Sequence, residues 1–272
     1  MTKLRPVEFK WRQFEPQLIL MAVGWYLRFS LSYRDVEELL QERGILADHV
    51  TVWRWVQRYA PELDRRLRSH LKPTNKSWRV DETYIRVKGK WTYLYRAVDS
   101  AGASIDFLLS ARRDAAAARR FFQKALCSPN HPTPRVINVD KNPSYPPVVE
   151  ELKAEGVLRR RCRLRPVQYL NNVLEQDHRA IKRRVRASQG FRSFWGAYRT
   201  IQGYEAVHAI RKGRGSDCPP TPFHRWAVPD CNLNATSASC LSCAAARKLQ
   251  HCPIKYAVTN YAVDTLSMKS KL

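Results

Sequence analysis

Cysteines, acidic residues and long apolar runs are scarce in this chain, and each scarcity excludes a class of protein. Of its seven cysteines, only Cys127 and Cys162 precede residue 218, which argues against a disulfide scaffold and favours reduced thiols. The most apolar early stretch, Leu18 to Leu27, is too short to span a bilayer and lacks the flanks of a signal peptide. We therefore expect a cytoplasmic protein with no membrane partner.

Negative charge is the second scarcity. The 24 acidic residues face 48 lysines and arginines, which gives a formal net charge of +24 and a pI near 10.2. This imbalance is larger than solubility requires, and its natural partner is a polyanion. A membrane surface could also attract such charge, but that usually needs an amphipathic basic helix or a lipid anchor, and we find neither in the sequence. With 44% hydrophobic residues the chain can fill a core, so we expect a globular protein that binds nucleic acid.

Residues 1–70 are predicted to form a helical region. Apolar residues recur at helical spacing in SYRDVEELLQERG and again in HVTVWRWVQRYAPEL, a second helix that we expect Pro61 to end. Thr51, Arg54, Trp55 and Arg58 share an outer stripe of this second helix. The arrangement suits a helix-turn-helix in which Thr51, Arg54 and Arg58 contact DNA, although a helical hairpin with a solvated arginine face fits the same pattern.

Residues 71–77 read as a linker, and residues 78–212 as an α/β domain. Three consecutive strands precede alternating helices and strands, which implies a mixed sheet with helices on both faces. The predicted strands are 78–87, 90–98, 103–110, 135–140 and a short basic one at about 159–163, and a helix opens at Asn171 and Asn172.

Residues 213–272 change in composition and are predicted to have little stable structure. Four cysteines in this segment have the spacing C-x8-C-x2-C-x8-C. A structural zinc site usually has two close pairs, so this spacing disfavours zinc. The four are Cys231, Cys240, Cys243 and Cys252.

Three acidic residues occupy positions that suggest chemistry. Asp81 stands in the apolar run of the first strand, where an unpaired charge is costly, and Asp140 ends another apolar strand. Glu175 falls in the first turn of a helix, where a capping box with Asn172 would explain it equally well. Strand alternation turns Glu82 to the face opposite Asp81, so we interpret Glu82 as a structural group.

The helix that contains Glu175 has a basic face. Glu175, Arg179, Lys182 and Arg186 recur at helical spacing beside an apolar stripe, which places a metal-binding oxygen next to a phosphate-binding row. A solvated surface face would look the same. His178 falls on the apolar stripe and is expected to pack in the core.

Together these motifs resemble the DDE transposases. Asp81 in WRVDETYIRVKGKW, Asp140 in NVDKNPSY and Glu175 in YLNNVLEQDHRAIKRR match the family's catalytic triad, with 34 residues between the second and third acids and Lys182 shortly after. The chain is most similar to the short bacterial transposases of insertion-sequence family six, from about Phe14 to Lys212.

This resemblance implies a ribonuclease-H-like catalytic domain whose triad holds two Mg²⁺ ions, with Mn²⁺ as a possible substitute. It implies that the helix-turn-helix recognises the inverted repeats of an element, and that Arg179, Lys182 and Arg186 guide the scissile strand. It further implies replicative transposition into target DNA by a homodimer or higher homo-oligomer, associated with the nucleoid when bound.

The segment after residue 213 departs from the family pattern and suggests a rearranged end of the gene. Two competing hypotheses therefore remain open at this stage. One is a transposase remnant, defective in catalysis or assembly, that only binds its repeats. The other is a host nuclease of the same fold that acts on branched or hybrid nucleic acid.

Overall fold

The structure, a computed structural model, describes residues 13–128, 131–140, 142–167 and 172–214. The predictions for the tail and its cysteines, and for Asn171, fall outside these ranges. The elements are α1 (Pro16–Arg28), α2 (Tyr33–Gln41), α3 (His49–Arg68), β1 (Ser77–Val87), β2 (Lys90–Asp99), β3 (Ser104–Ser110), α4 (Ala115–Leu126), β4 (Val136–Val139), α5 (Tyr145–Ala154), β5 (Arg163–Pro166), α6 (Asn172–Ala187) and α7 (Phe194–Arg211). None of the helices in the described ranges is long and apolar enough to cross a membrane.

The five strands form one mixed sheet in the order β3-β2-β1-β4-β5. β1 pairs antiparallel with β2 and β2 with β3, whereas β4 lies parallel to both β1 and β5. Lys88 and Gly89 both have positive φ, as the two-residue turn between β1 and β2 requires. With helices on both faces, this is the mixed sheet that the sequence predicted and the ribonuclease-H-like fold that the resemblance implied.

The fifth strand differs from its prediction. It spans Arg163–Pro166 rather than 159–163, because the chain turns first: the Cys162 amide donates to the Arg159 carbonyl, and only then does Leu164 pair with Ile137. The sequence pattern missed this because an edge strand of four residues has too little periodicity to fix its ends.

Two apolar cores lie on opposite faces of the sheet. On one face, β1 residues such as Trp78 and Val80 pack with α4 and α5. On the other face, Ile85 and Val87 belong to a cluster that also contains buried residues of α1, α2, α3, α6 and α7. The N-terminal helices therefore share a core with the face of the sheet that α6 and α7 cover.

Helix α3 corrects two predictions. It continues through Pro61 to Arg68, because Leu67 is buried beyond the proline and ion pairs such as Arg68 to Asp64 (3.0 Å) support the added turns. Trp55 is buried, with the Phe14 ring edge-on at 5.1 Å, rather than part of the outer stripe. That prediction failed because the residues that cover Trp55 lie far from it in sequence.

Candidate active site

The register of the parallel strands brings two of the three predicted acids together. β1 and β4 pair at Trp78 to Ile137 and Arg79 to Asn138, so the same offset sets Asp81 beside Asp140 just beyond the end of β4. One oxygen from each of Asp81, Glu82 and Asp140 lies within 4.8 Å of the others. Ends of parallel strands are where α/β proteins place binding groups, and this one holds hard carboxylate oxygens.

Burial and mutual repulsion make this acidic cluster electrostatically unfavourable without a cation. Burial, followed by the neighbouring charges of Glu82 and Asp140, raises the pKa of Asp81 to about 7. Burial and the Glu82 charge likewise raise the pKa of Asp140. A divalent cation that prefers oxygen ligands would remove both penalties, so the residues present fit a Mg²⁺ site.

Glu82 differs from the other two acids because its carboxylate is already engaged. It accepts hydrogen bonds from Arg113 Nε (2.6 Å), from Asn142 Nδ2 (2.8 Å) and from the Tyr145 hydroxyl. Only 4% of its side chain is exposed. Asp81 contacts α6 whereas Glu82 contacts α5, so the two side chains leave the strand on opposite faces as alternation requires.

Sequence reasoning did not single out the partners of Glu82. Arg113 also lies 3.6 Å from Asp140, so one guanidinium offsets charge on both carboxylates. Asn142 and Tyr145 belong to the segment after β4, and the Asn142 amide donates to Asp140 (3.1 Å). The polar NPSY motif, which begins two residues after Asp140, was the available signal.

Helix α6 contacts the cluster through His178, and its Glu175 is not part of the cluster. His178 Nδ1 lies 3.7 Å from Asp81 Oδ2, and burial, followed by the charges of Arg96 and Lys182, lowers the pKa of His178 to about 3. His178 is thus a neutral group packed against Asp81. Glu175 precedes it by one helical turn, on the same side of the helix, and its side chain is 60% exposed, accepting from Arg179 at 2.8 Å.

The predicted DNA-contacting residues lie mainly at the surface. Arg179 and Arg186 are exposed on α6, and Lys182 is partly buried with its ammonium 4.3 Å from the centre of the Tyr84 ring. On α3, Arg54 and Arg58 are exposed and Thr51 is partly buried.

A buried ionic network holds α6 and α7 against the sheet. Arg96, the cross-strand neighbour of Asp81, donates from Nε and Nη2 to Glu205 of α7 at 2.7 and 3.0 Å. Ser104 donates to the same carboxylate at 2.6 Å, and Asp177 of α6 lies 3.7 Å from Arg96. The helix that carries Glu175 is therefore tied to β2, the strand that pairs with the strand of Asp81.

Comparisons with known proteins found a matching family, curated relatives and similar solved structures. A family described as a DDE domain matches residues 75–214. Two transposases of Staphylococcus aureus, for the insertion sequence-like element IS431mec and for the element IS257 in transposon Tn4003, are each 40% identical over 204 residues, or 75% of this chain and 88% of theirs. The HTLV-2 integrase catalytic core in complex with magnesium is 14% identical, with a TM-score of 0.38 over 51% of this chain and 86% of that one.

Proposed function

The chain belongs to the DDE transposases of insertion-sequence family six, and we propose that it uses Asp81, Asp140 and Glu175 to cut and rejoin DNA at the inverted repeats of its element. Its activity is DNA transposition. In that reaction water breaks a phosphodiester bond to free a 3′-hydroxyl. This hydroxyl then attacks a phosphodiester of the target DNA, and the 3′ oxygen of the cut target strand leaves.

The observation that carries the residue assignment is the meeting of Asp81 with Asp140 at the carboxyl end of β4, beside the helix that bears Glu175. Glu82 is the competing third acid. Both of its oxygens already accept hydrogen bonds from protein donors, whereas Glu175 stands largely in solvent where substrate and ions have access. Glu175 therefore fits the third ligand position better, and Glu82 fits the role of positioning the segment after β4.

Asp81, Asp140 and Glu175 would hold two Mg²⁺ ions, with Mn²⁺ as a substitute, which would stabilise the attacking and leaving oxygens of an in-line displacement. The rest of the site prepares this centre. Buried, neutral His178 covers one side of Asp81 and keeps water away from it there. Arg113 spans Glu82 and Asp140 and restrains the segment that carries Asp140.

The basic residues of α6 and α3 would bind the DNA. Arg179, Lys182 and Arg186 on α6 would hold the backbone of the scissile strand. Thr51, Arg54 and Arg58 on α3 would contact the inverted repeat, with the two exposed arginines reaching base edges or phosphates.

Two element ends must meet in one complex, so we propose at least a homodimer, acting in the bacterial cytoplasm on DNA of the nucleoid.

The decisive experiment combines strand transfer with metal binding. Purified full chain, Mg²⁺ and DNA carrying the repeat should yield 3′-hydroxyl nicks and joined products. Asp81→Asn, Asp140→Asn and Glu175→Gln should each abolish both products, weaken Mg²⁺ binding in calorimetry, and leave repeat binding intact.

Glu150→Gln serves as the matched control, because this glutamate lies on the surface of α5 with Lys153 as its ion-pair partner. It should leave every readout unchanged. Loss of repeat binding in the triad variants, or wild-type Mg²⁺ affinity in any of them, would contradict the assignment.

A further inference from the structure

An exposed aromatic pair lies on the β1–β2 hairpin beyond the acidic cluster. Tyr84 and Trp91 contact each other edge to face with ring centroids 4.9 Å apart, yet 51% and 52% of these residues remain exposed. A cross-strand contact of this kind stabilises a hairpin, but it does not require both rings to face solvent. Apolar side chains that are exposed next to each other mark a binding site more often than a single exposed apolar side chain does.

Cations surround the two rings. Lys182 of α6 lies over Tyr84 at 4.3 Å from the ring centre, and Arg86 lies over Trp91 at 4.7 Å. Arg86 and Trp91 are direct cross-strand partners, so the register of the hairpin sets this contact. We call Tyr84, Trp91, Arg86 and Lys182 the hairpin patch. The exposed Lys88 and Lys90 at the turn extend its positive charge.

The nearest carboxylate in sequence does not reduce this charge at the surface. The side chain of Glu82 is only 4% exposed, with Arg113, Asn142 and Tyr145 as its partners. The hairpin patch therefore combines exposed aromatic faces with neighbouring cations. That combination is typical of proteins that bind single-stranded nucleic acid, where bases stack on rings and cations follow the backbone.

The hairpin patch is also close to the proposed catalytic centre. Tyr84 follows Asp81 by three residues, a rise of about 10 Å along the strand, and its side chain shares the face of Glu82. Lys182 follows Glu175 by two helical turns, again about 10 Å. That length corresponds to about three nucleotides of a stacked strand.

From this placement we propose that the hairpin patch binds unpaired DNA bases next to the scissile phosphate, by stacking them on Tyr84 and Trp91. The proposal rests on the proposed function for the identity of the neighbouring centre. It adds a form of substrate: DNA whose strands are separated beside the cleavage point. Arg86 and Lys182 hold the phosphates of the unpaired strand while the rings take its bases.

The test measures binding without metal or cleavage. Fluorescence anisotropy of the full chain with labelled single-stranded oligothymidylate, and with a blunt duplex of unrelated sequence, gives two affinities for each variant. Tyr84→Ala and Trp91→Ala should each weaken oligothymidylate binding by about tenfold, the range of a lost base stack, and change duplex binding by less than about twofold. Trp91→Phe should restore most of the loss.

Trp195→Ala is the matched control, since Trp195 is 65% exposed on α7 and lies outside the hairpin patch. It should leave oligothymidylate binding unchanged. Charge gives a second, independent readout. The slope of the logarithm of the oligothymidylate binding constant against the logarithm of salt concentration should stay unchanged in the two aromatic variants. In Arg86→Gln the magnitude of this slope should fall by about 0.7.

Three outcomes would overturn the proposal. Unchanged oligothymidylate binding in Trp91→Ala excludes stacking, and equal losses on both probes make the hairpin patch a general duplex contact. If the wild type is a dimer in light scattering and an aromatic variant is a monomer that retains its affinity for oligothymidylate, the hairpin patch is an interface between copies of the chain. Thermal unfolding of each variant separates these results from misfolding. The binding test measures no cleavage, so a failure of the strand-transfer assay would not change its outcome. Likewise, a failure of the binding test would not change the outcome of the strand-transfer assay.

Discussion

Replacing Glu205 by Ala tests whether the buried network holds the helices of the site in place. The substitution removes two hydrogen bonds from Arg96 and one from Ser104, and leaves the Arg96 guanidinium buried without its main counter-charge. Breaking a buried ion pair from one side costs about 3–5 kcal/mol. Asp177 stays 3.7 Å from Arg96 and compensates in part, so we expect the lower end, about 3 kcal/mol.

Thermal unfolding followed by circular dichroism measures this loss. For a domain of this size, about 3 kcal/mol corresponds to a fall in Tm of about 6–12 °C. The matched control is Glu155→Ala, which breaks a surface ion pair with Arg119 between α4 and α5 and should cost less than about 1 kcal/mol.

The double variant Arg96→Met/Glu205→Leu should recover most of the stability, because it leaves neither charge of the pair buried alone. If Glu205→Ala unfolds at the same temperature as Glu155→Ala, the network does not stabilise the fold. If the double variant is no more stable than the single one, an unpaired charge is not the cause of the loss.

Three further predictions concern packing, the acidic cluster and repeat binding. Gly203→Ala should lower the free energy of unfolding in urea by about 1–3 kcal/mol, because the added Cβ would lie 2.7 Å from atoms on α1 and α3. Gly24→Ala should not lower it, because the space around Gly24 is open. Equal effects of the two substitutions would contradict the packing of α7 against α1 and α3. Glu82→Gln should retain strand transfer at about 10- to 100-fold below wild type while Asp81→Asn retains none, and equal rates would refute their different roles. Arg58→Ala should weaken repeat binding by about 1–3 kcal/mol in a titration at fixed salt, and an unchanged affinity would remove α3 from the interface.

The parts of the fold that the sequence predicted are those with strong local patterns. Alternating apolar residues and the turn at Gly89 specify the hairpin of β1 and β2, and apolar β4 ends at Val139, directly before Asp140. Its parallel pairing with β1 then brings Asp140 beside Asp81. The apolar stripe of α6, with His178 on it, is also buried as predicted.

The features that sequence reasoning missed depend on distant contacts. α3 passes through Pro61 because packing and ion pairs beyond the proline outweigh its local preference, and Trp55 is buried by residues outside its own helix. The partners of Glu82 lie 31 to 63 positions away, so no local spacing could reveal them. The roles of the triad and of the arginines on α3 stay predictions until the variants are measured.

The packing of α7 against the N-terminal helices has a consequence for shortened forms of the chain. Gly203 of α7 lies against Ala60 of α3 and Leu27 of α1, so the last described helix supports the first ones. A fragment of the N-terminal helices alone would expose this apolar surface to water. A chain interrupted before residue 194 would lose support for the proposed repeat recognition as well as for the proposed cleavage. Truncated copies of such elements would for that reason be poor competitors for the repeats of intact ones.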